Sequence, residues 1–360
     1  MKIFYILTLF ALTGNFINAR PVEDYQIDAD DTENYNVPEI NQLINQIEQS
    51  IKNQKQTYDS HNNLPEKTQK ITHSQRTDTL YPVVLLHGIL SDKSELNTVY
   101  EWLKTKIPND IYNIEIGNGR TDSIFKSMDW QLKQVCETIY SIPDLAAGFH
   151  FIGMSQGGLL ARGYVERCNI YPVINLITWV SPHAGVFGLG GYDIDFTKIY
   201  TPKFQSLFSF AGYWKDPFRY GEYLNNSGYL ADLNNEHKHN GLSVSQKYNM
   251  LSLKNFVMIW SPEDDVLKPP ESGKFAFYKI FGKSSSYMRN IEYDVKTYCE
   301  YDNLPIVELQ DSPQYTEDWL GLRTLNETGR LHILETNCTH TGHKTEDCFP
   351  QLESLTFPFL

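Results

Sequence analysis

A chain of 360 residues, 41% of them apolar, has room for one large α/β domain or two ordinary ones and enough apolar side chains for a sizeable core. The formal charge of −13 excludes a nucleic-acid partner, because phosphate binding needs clustered Lys and Arg, and the sequence holds no such patch. Acidity alone names no other partner.

Residues 1–19 have the grammar of a secretory signal peptide. Lys2 supplies the charged start, 4–13 form a short apolar run, and Ala19 offers a small residue at the cleavage point. That run is too short to span a bilayer, and no later stretch reaches spanning length, so no transmembrane anchor is expected. From 20 to 79 the composition turns to Asn, Gln, Asp and Glu, which predicts a polar, largely disordered extension. Within it Val37, Ile40, Ile44, Ile47 and Ile51 recur at alternating steps of three and four behind Pro38 and Glu39. The spacing predicts one amphipathic helix, serving either as a partner-binding or pro-segment or packed on its own domain.

The catalytic domain is expected over 80–360. The apolar run 83–86 ends at His87-Gly88, as a buried parallel strand ends at its loop. Strands are predicted at 111–116, 149–152, 174–180, 256–260 and 331–334. A helix face runs through Ile124, Phe125, Met128, Leu132, Val135 and Ile139, and a second helix covers 159–167. Strands alternating with helices predict a mostly parallel sheet. The interval from about 186 to 253 breaks the alternation and carries Phe204, Leu207, Phe208, Phe210, Tyr213 and Trp214. It is a candidate cap over the active site, and the plainer alternative is an ordinary packing excursion.

Gly153-Met154-Ser155-Gln156-Gly157 stands between a predicted strand and a predicted helix, the setting in which G-x-S-x-G carries a nucleophile. The glycines are needed where a Cβ would clash on a sharp turn that lifts the Ser155 hydroxyl above the sheet. A serine needs a base, and in this arrangement the acid and the histidine follow it in the chain. Glu263, Asp264 and Asp265 sit just past the strand ending at Trp260, where catalytic groups gather in open α/β sheets. Three histidines follow: His332 inside a short strand, read as a packed histidine, and His340 and His343 in the loop beyond. One of the last two is expected to be the base. The oxyanion hole is expected from the backbone N–H groups of Gln156 and Ile89. His87 is expected to brace the Ile89 loop.

None of the five cysteines, Cys136, Cys168, Cys299, Cys338 and Cys348, forms a C-x-x-C pair, so no metal site is predicted. In an oxidising compartment they suggest two disulfides and one leftover thiol. Glycosylation sequons at Asn225, Asn326 and Asn337 fit that compartment.

From 81 onward the residues resemble the palmitoyl-protein thioesterases, lysosomal acyl-thioester hydrolases of the α/β-hydrolase fold. The resemblance rests on PVVLLHGI at 82–89, the serine turn GMSQGG, VINLIT at 173–178, SPHAGVFG at 181–188 and YLNNSGYLADLN at 223–234. The stretch YWKDP at 213–217 and the spacing of Cys338 from Cys348 look closer to the second, less protein-directed branch. The resemblance implies a triad of Ser155, Asp264 and His340, with His343 the alternative base. It implies a Cys136–Cys168 disulfide, a Cys338–Cys348 bridge steadying the histidine loop, and a cap between the sixth and seventh strands. It also implies a fatty acyl thioester substrate, S-acylated protein or acyl-CoA, handled without metal or organic cofactor in the lysosome or outside the cell. Phe204, Leu207, Phe208, Phe210 and Trp214 are the expected walls of the acyl groove. The long 20–79 extension, the unpaired Cys299 and the Asp-, Glu- and Tyr-rich stretch after it depart from the family.

A lipase or carboxylesterase would use the same triad and groove. A hydrolase-fold protein that only binds lipid or protein would be expected to have lost a triad residue type, and all three are present.

Overall fold

The computed structural model describes residues 80–188, 198–237, 243–281 and 304–360. The expected signal segment, the 20–79 extension with its apolar helix pattern, and Cys299 lie outside those residues.

The described strands are β1 (Val83–Leu86), β2 (Ile111–Ile114), β3 (Phe149–Met154), β4 (Val173–Trp179), β5 (Asn255–Trp260), β6 (Phe277–Tyr278), β7 (Ile306–Val307) and β8 (Leu331–Glu335). Six of them form one sheet in the order β2-β1-β3-β4-β5-β8, every pairing parallel, while β6 and β7 make a small antiparallel ribbon. The residues of β1 and β3 are buried throughout, as central strands should be, whereas β2 and β8 lie at the edges.

Side chains along each strand alternate between two apolar layers, following the two-residue period of the pleat. Val84, Leu86, Phe149, Phe151 and Phe256 face one layer, and Val83, Leu85, Ile152, Met154 and Val257 the other. The helices are α1 (Asn97–Lys106), α2 (Met128–Tyr140), α3 (Gln156–Arg167), α4 (Ser243–Leu251) and α5 (Phe349–Thr356), besides shorter turns. Leu132, Val135, Leu159 and Leu160 of α2 and α3 join the first layer, and Val99, Leu103, Phe349 and Leu352 of α1 and α5 join the second. The result is a parallel sheet with helices on both faces, the α/β-hydrolase arrangement.

Element bounds differ from the sequence expectation where side chains intervene. β2 stops at Ile114 because Glu115 and Ile116 turn to His87, whose Nε2 lies 3.2 Å from the Ile116 N–H nitrogen. The apolar stripe from 124 to 139 is not one helix. Ser127 Oγ accepts from the Trp130 N–H (3.3 Å) and starts α2 at Met128, behind a separate turn, Asp122–Phe125.

The 186–253 interval lies between β4 and β5 of the described strands, after one sheet strand and before the next. Within the interval Tyr223, Tyr229, Leu230 and Leu233 are fully buried in the first apolar layer, so much of it is core.

Candidate active site

The strand ends set the stage. In register, Leu86 pairs with Gly153, Met154 with Trp179, and Trp260 with Glu335, so the loops after β1, β3, β5 and β8 leave one edge of the sheet together. The strand order reverses between β1 and β3, the kind of position where ligands bind in such sheets.

Ser155 follows β3 directly with φ 54° and ψ −129°, a backbone conformation that residues with side chains rarely adopt. Helix α3 begins at the next residue. A Cβ on Gly153 would come within 2.5 Å of the Gly158 Cα, and one on Gly157 would run into the carbonyl oxygens of Leu86 and His87. Glycine at those two positions is what lets strand and helix fold back so tightly. A Cβ on Gly88 would stand 3.0 Å from the Ser155 Cβ, so the loop after β1 lies directly against the serine.

Two backbone N–H groups flank this point, those of Ile89 and Gln156, and neither donates to another group among the described residues. The Gln156 side chain is fully buried and held three ways. Its Nε2 donates to the Ser123 carbonyl (2.7 Å) and to Gln131 Oε1 (2.8 Å), and its Oε1 accepts from the Tyr213 hydroxyl (3.0 Å). Burial pushes the Tyr213 phenol up, which keeps it a donor. Tyr213 was legible only as one aromatic of a cluster; nothing in the sequence joins it to Gln156.

His87 braces the loop as expected. It is fully buried, its Nδ1 lies 3.0 Å from the Gly88 carbonyl, and its Nε2 lies 2.6 Å from Glu115 Oε1.

On the other side of Ser155 come the ends of β5 and β8. Asp264 Oδ1 accepts from the N–H groups of Val266 (2.8 Å) and Leu267 (2.9 Å), which fixes the carboxylate in a tight turn. Its Oδ2 lies 2.7 Å from His340 Nδ1, and both residues are buried. The His340 N–H donates to Asp265 Oδ1 at 3.2 Å, so the neighbouring carboxylate holds the histidine's backbone rather than its ring. With Nδ1 committed to Asp264, His340 has Nε2 left for a substrate or a hydroxyl.

His343, the alternative base, sits elsewhere in the same loop. It is fully buried, with Nε2 2.8 Å from Thr336 Oγ1 and Nδ1 2.9 Å from the Thr339 carbonyl. Burial pushes its pKa down, favouring the neutral ring, and both nitrogens are spent on holding the loop. His332 is packed on Phe359 (4.6 Å between ring centroids), with Nε2 3.0 Å from Asn255 Oδ1.

Two disulfides are formed, Cys136–Cys168 and Cys338–Cys348, with Cα separations of 6.2 and 6.0 Å. The first ties α2 to the end of α3. The second ties the histidine loop to α5, which starts at the residue after Cys348. Asn225, Asn326 and Asn337 are all exposed.

The aromatic cluster divides. Phe204, Phe208 and Phe210 are half-buried, with centroids 5.2 Å (Phe204–Phe208) and 5.4 Å (Phe208–Phe210) apart. Leu207 is 43% exposed. Trp214 is a correction to the expected groove wall: it is fully buried and packed on Phe187 (5.6 Å), so it belongs to the core. A cleft of about 730 Å³ between α1 and α5, lined by Trp102, Phe349 and Glu353, contains none of the site residues above.

Two of the sequence motifs beyond the serine turn meet at one buried cation. Arg162 of α3 donates to Asn234 Oδ1 (2.8 Å), to the His183 carbonyl (3.3 Å) and to Glu166 (3.0 Å). SPHAGVFG supplies His183 and YLNNSGYLADLN supplies Asn234, so both motifs clamp the helix behind the serine.

The palmitoyl protein thioesterase family model matches residues 82–340, from the start of β1 to His340. The chain belongs to the palmitoyl protein thioesterase family. Similar relatives include palmitoyl-protein thioesterase 3 of Dictyostelium discoideum, 39% identical over 78% of this chain and 92% of that one. Palmitoyl-protein thioesterase 1 of Caenorhabditis elegans is 29% identical over 72% of this chain and 86% of its own. Lysosomal thioesterase PPT2-B of Xenopus laevis is 30% identical over 70% and 83%. Identities of 29% and 30% to the two branches do not separate them. Membership makes this chain a thioester hydrolase, and the matched span covers all the loops just described as far as His340.

Proposed function

We propose that the protein hydrolyses long-chain fatty acyl thioesters, S-acylated protein or acyl-CoA, through an acyl-enzyme on Ser155. The contact of His340 Nδ1 with Asp264 Oδ2 at 2.7 Å carries this reading, because it sets a buried imidazole in the tautomer that a serine requires.

Ser155 Oγ attacks the thioester carbonyl while His340 Nε2 takes its proton. The N–H groups of Ile89 and Gln156 stabilise the oxyanion, and the start of α3 adds its dipole. Asp264 holds the imidazolium. The C–S bond breaks, the thiol leaves with the proton from His340, and water activated by the same nitrogen releases the fatty acid and regenerates Ser155. The acyl chain runs along Phe204, Phe208 and Phe210, under a cap formed by the β4–β5 insertion. Each methylene it buries contributes about 0.8 kcal/mol.

Two disulfides and three exposed sequons support a secreted or lysosomal protein, glycosylated at Asn225, Asn326 and Asn337. Among the described residues no helix is long and apolar enough to cross a membrane.

The test is a kinetic comparison of palmitoyl-CoA with an oxygen ester of the same chain length. A kcat/KM at least about tenfold higher for the thioester, near 1.4 kcal/mol of transition-state preference, is expected. Preference for the oxygen ester would make the protein a carboxylesterase built on the same triad.

A further inference from the structure

Seven large apolar side chains are exposed among the described residues, and two of them, Phe125 (42%) and Leu207 (43%), belong to one ridge. Phe208, next to Leu207 in the chain, packs on Phe125 with 5.8 Å between ring centroids. The ridge therefore joins the turn after β2 to the Pro202–Leu207 helix of the insertion. It also adjoins the proposed oxyanion hole: Ser123, two residues before Phe125, receives the Gln156 side-chain amide at 2.7 Å.

Two lysines flank the ridge. Lys126 follows Phe125, and Lys203 stands four residues before Leu207, hence on the same helix face. Both are exposed; Lys126 Nζ stands over the Trp130 ring (5.2 Å to its centroid), and neither lysine forms an ion pair among the described residues. The acidic groups nearest Lys126 in the chain are engaged elsewhere: Asp122 accepts from the Asn118 N–H (2.8 Å), and Asp129 pairs with Arg167 (2.8 Å). On a chain of net charge −13, an apolar ridge edged by two cations that lack a carboxylate partner among the described residues is a local inversion of the surface.

We infer that this ridge docks the protein on a bilayer bearing anionic headgroups. Phe125 and Leu207 enter the headgroup boundary, and Lys126 and Lys203 reach the lipid phosphates. An acyl chain anchored in that bilayer then needs to travel only from the ridge, over Phe208, to the serine turn. The use made of the ridge rests on the acyl-thioesterase reading, but docking itself is measured without turnover.

The experiment is sedimentation of the full chain with phosphatidylcholine vesicles, with and without phosphatidylserine. Wild type is expected to sediment with the anionic vesicles. Phe125→Ser/Leu207→Ser should lower that partition at least about tenfold. Lys126→Glu/Lys203→Glu should lower it by about tenfold or more, while leaving the weaker binding to neutral vesicles unchanged. Thermal melting checks that each variant is folded; should the apolar pair prove unstable, the exposed lysine pair still decides. Failure of wild type to sediment, as for a ridge that binds only another protein, would overturn the proposal. So would undiminished sedimentation of both double variants. Palmitoyl-CoA hydrolysis without vesicle binding would sink docking alone. Vesicle binding without hydrolysis would support docking and sink the functional reading instead.

Discussion

His340 Nδ1 lies 2.7 Å from Asp264 Oδ2, across 76 residues of chain, with both side chains buried. A buried ion pair or neutral pair of this kind orients the ring, and the Val266 and Leu267 N–H groups fix the carboxylate that does the orienting. His343, three residues on, has both ring nitrogens occupied by Thr336 and Thr339.

The two histidines should accordingly separate chemistry from stability. His340→Ala is expected to lower kcat at least about a thousandfold with little change in melting temperature. His343→Ala should lower stability by about 2 kcal/mol, since it leaves a cavity and two unpaired groups in the loop. At a temperature where that variant is folded, its kcat/KM should change less than about tenfold. Paired melting curves and steady-state kinetics check both halves, and the reverse pattern would move the base to His343.

The Cys338–Cys348 bridge spans 10 residues and holds the loop that carries His340. Its removal in Cys338→Ser/Cys348→Ser should cost about 3 kcal/mol in the chain-entropy model. Because the loop positions the proposed base, kcat should fall more than KM rises. Losing Cys136–Cys168, which spans 32 residues on the far side of α3, should cost stability with little effect on kcat in the folded fraction. Equal kinetic damage from both deletions would contradict a positioning role for the second bridge.

The sequence made some of this legible and hid the rest for physical reasons. A serine between two glycines, after an apolar run and before a helix, announces its own strained turn, because only that local geometry demands those glycines. Strand position alone leaves three neighbouring carboxylates; the resemblance points to Asp264, and in space the turn bonding its Oδ1 to Val266 and Leu267 and its contact with His340 set it apart. His340 and His343 share a loop, and spacing alone does not choose between them; the resemblance favours His340, and in space Thr336 and Thr339 occupy both ring nitrogens of His343. Trp214 and Phe208 look alike as aromatics in a variable segment. Packing against Phe187 removes the first from any groove, and packing on Phe125 brings the second to the surface. The Arg162–Asn234 clamp spans 72 residues, a separation over which periodicity carries no information.

Acid should weaken the fold through His150. This ring sits in β3, with Nδ1 3.1 Å from the Asn175 amide nitrogen, and burial pushes its pKa down from the ordinary 6.5 to about 4. The folded state therefore prefers the neutral ring. Its contribution is fully present above pH 6.5 and is lost as pH falls from there toward 4, a loss on the order of 3 kcal/mol. His150→Asn keeps an acceptor for Asn175 and cannot titrate, so its melting temperature should fall less between pH 7 and pH 4.5 than that of wild type. Parallel curves for the two proteins would contradict the assignment.

The most direct test is to locate the acyl group during turnover. Palmitoyl-CoA is mixed with the protein, the reaction is quenched in acid within a turnover, and peptides are mapped by mass. The account predicts a palmitoyl ester on the peptide containing Ser155, absent in Ser155→Ala, with palmitoyl-CoA hydrolysis lost in that folded variant. An acyl group on another residue, or sustained hydrolysis by Ser155→Ala, would contradict it.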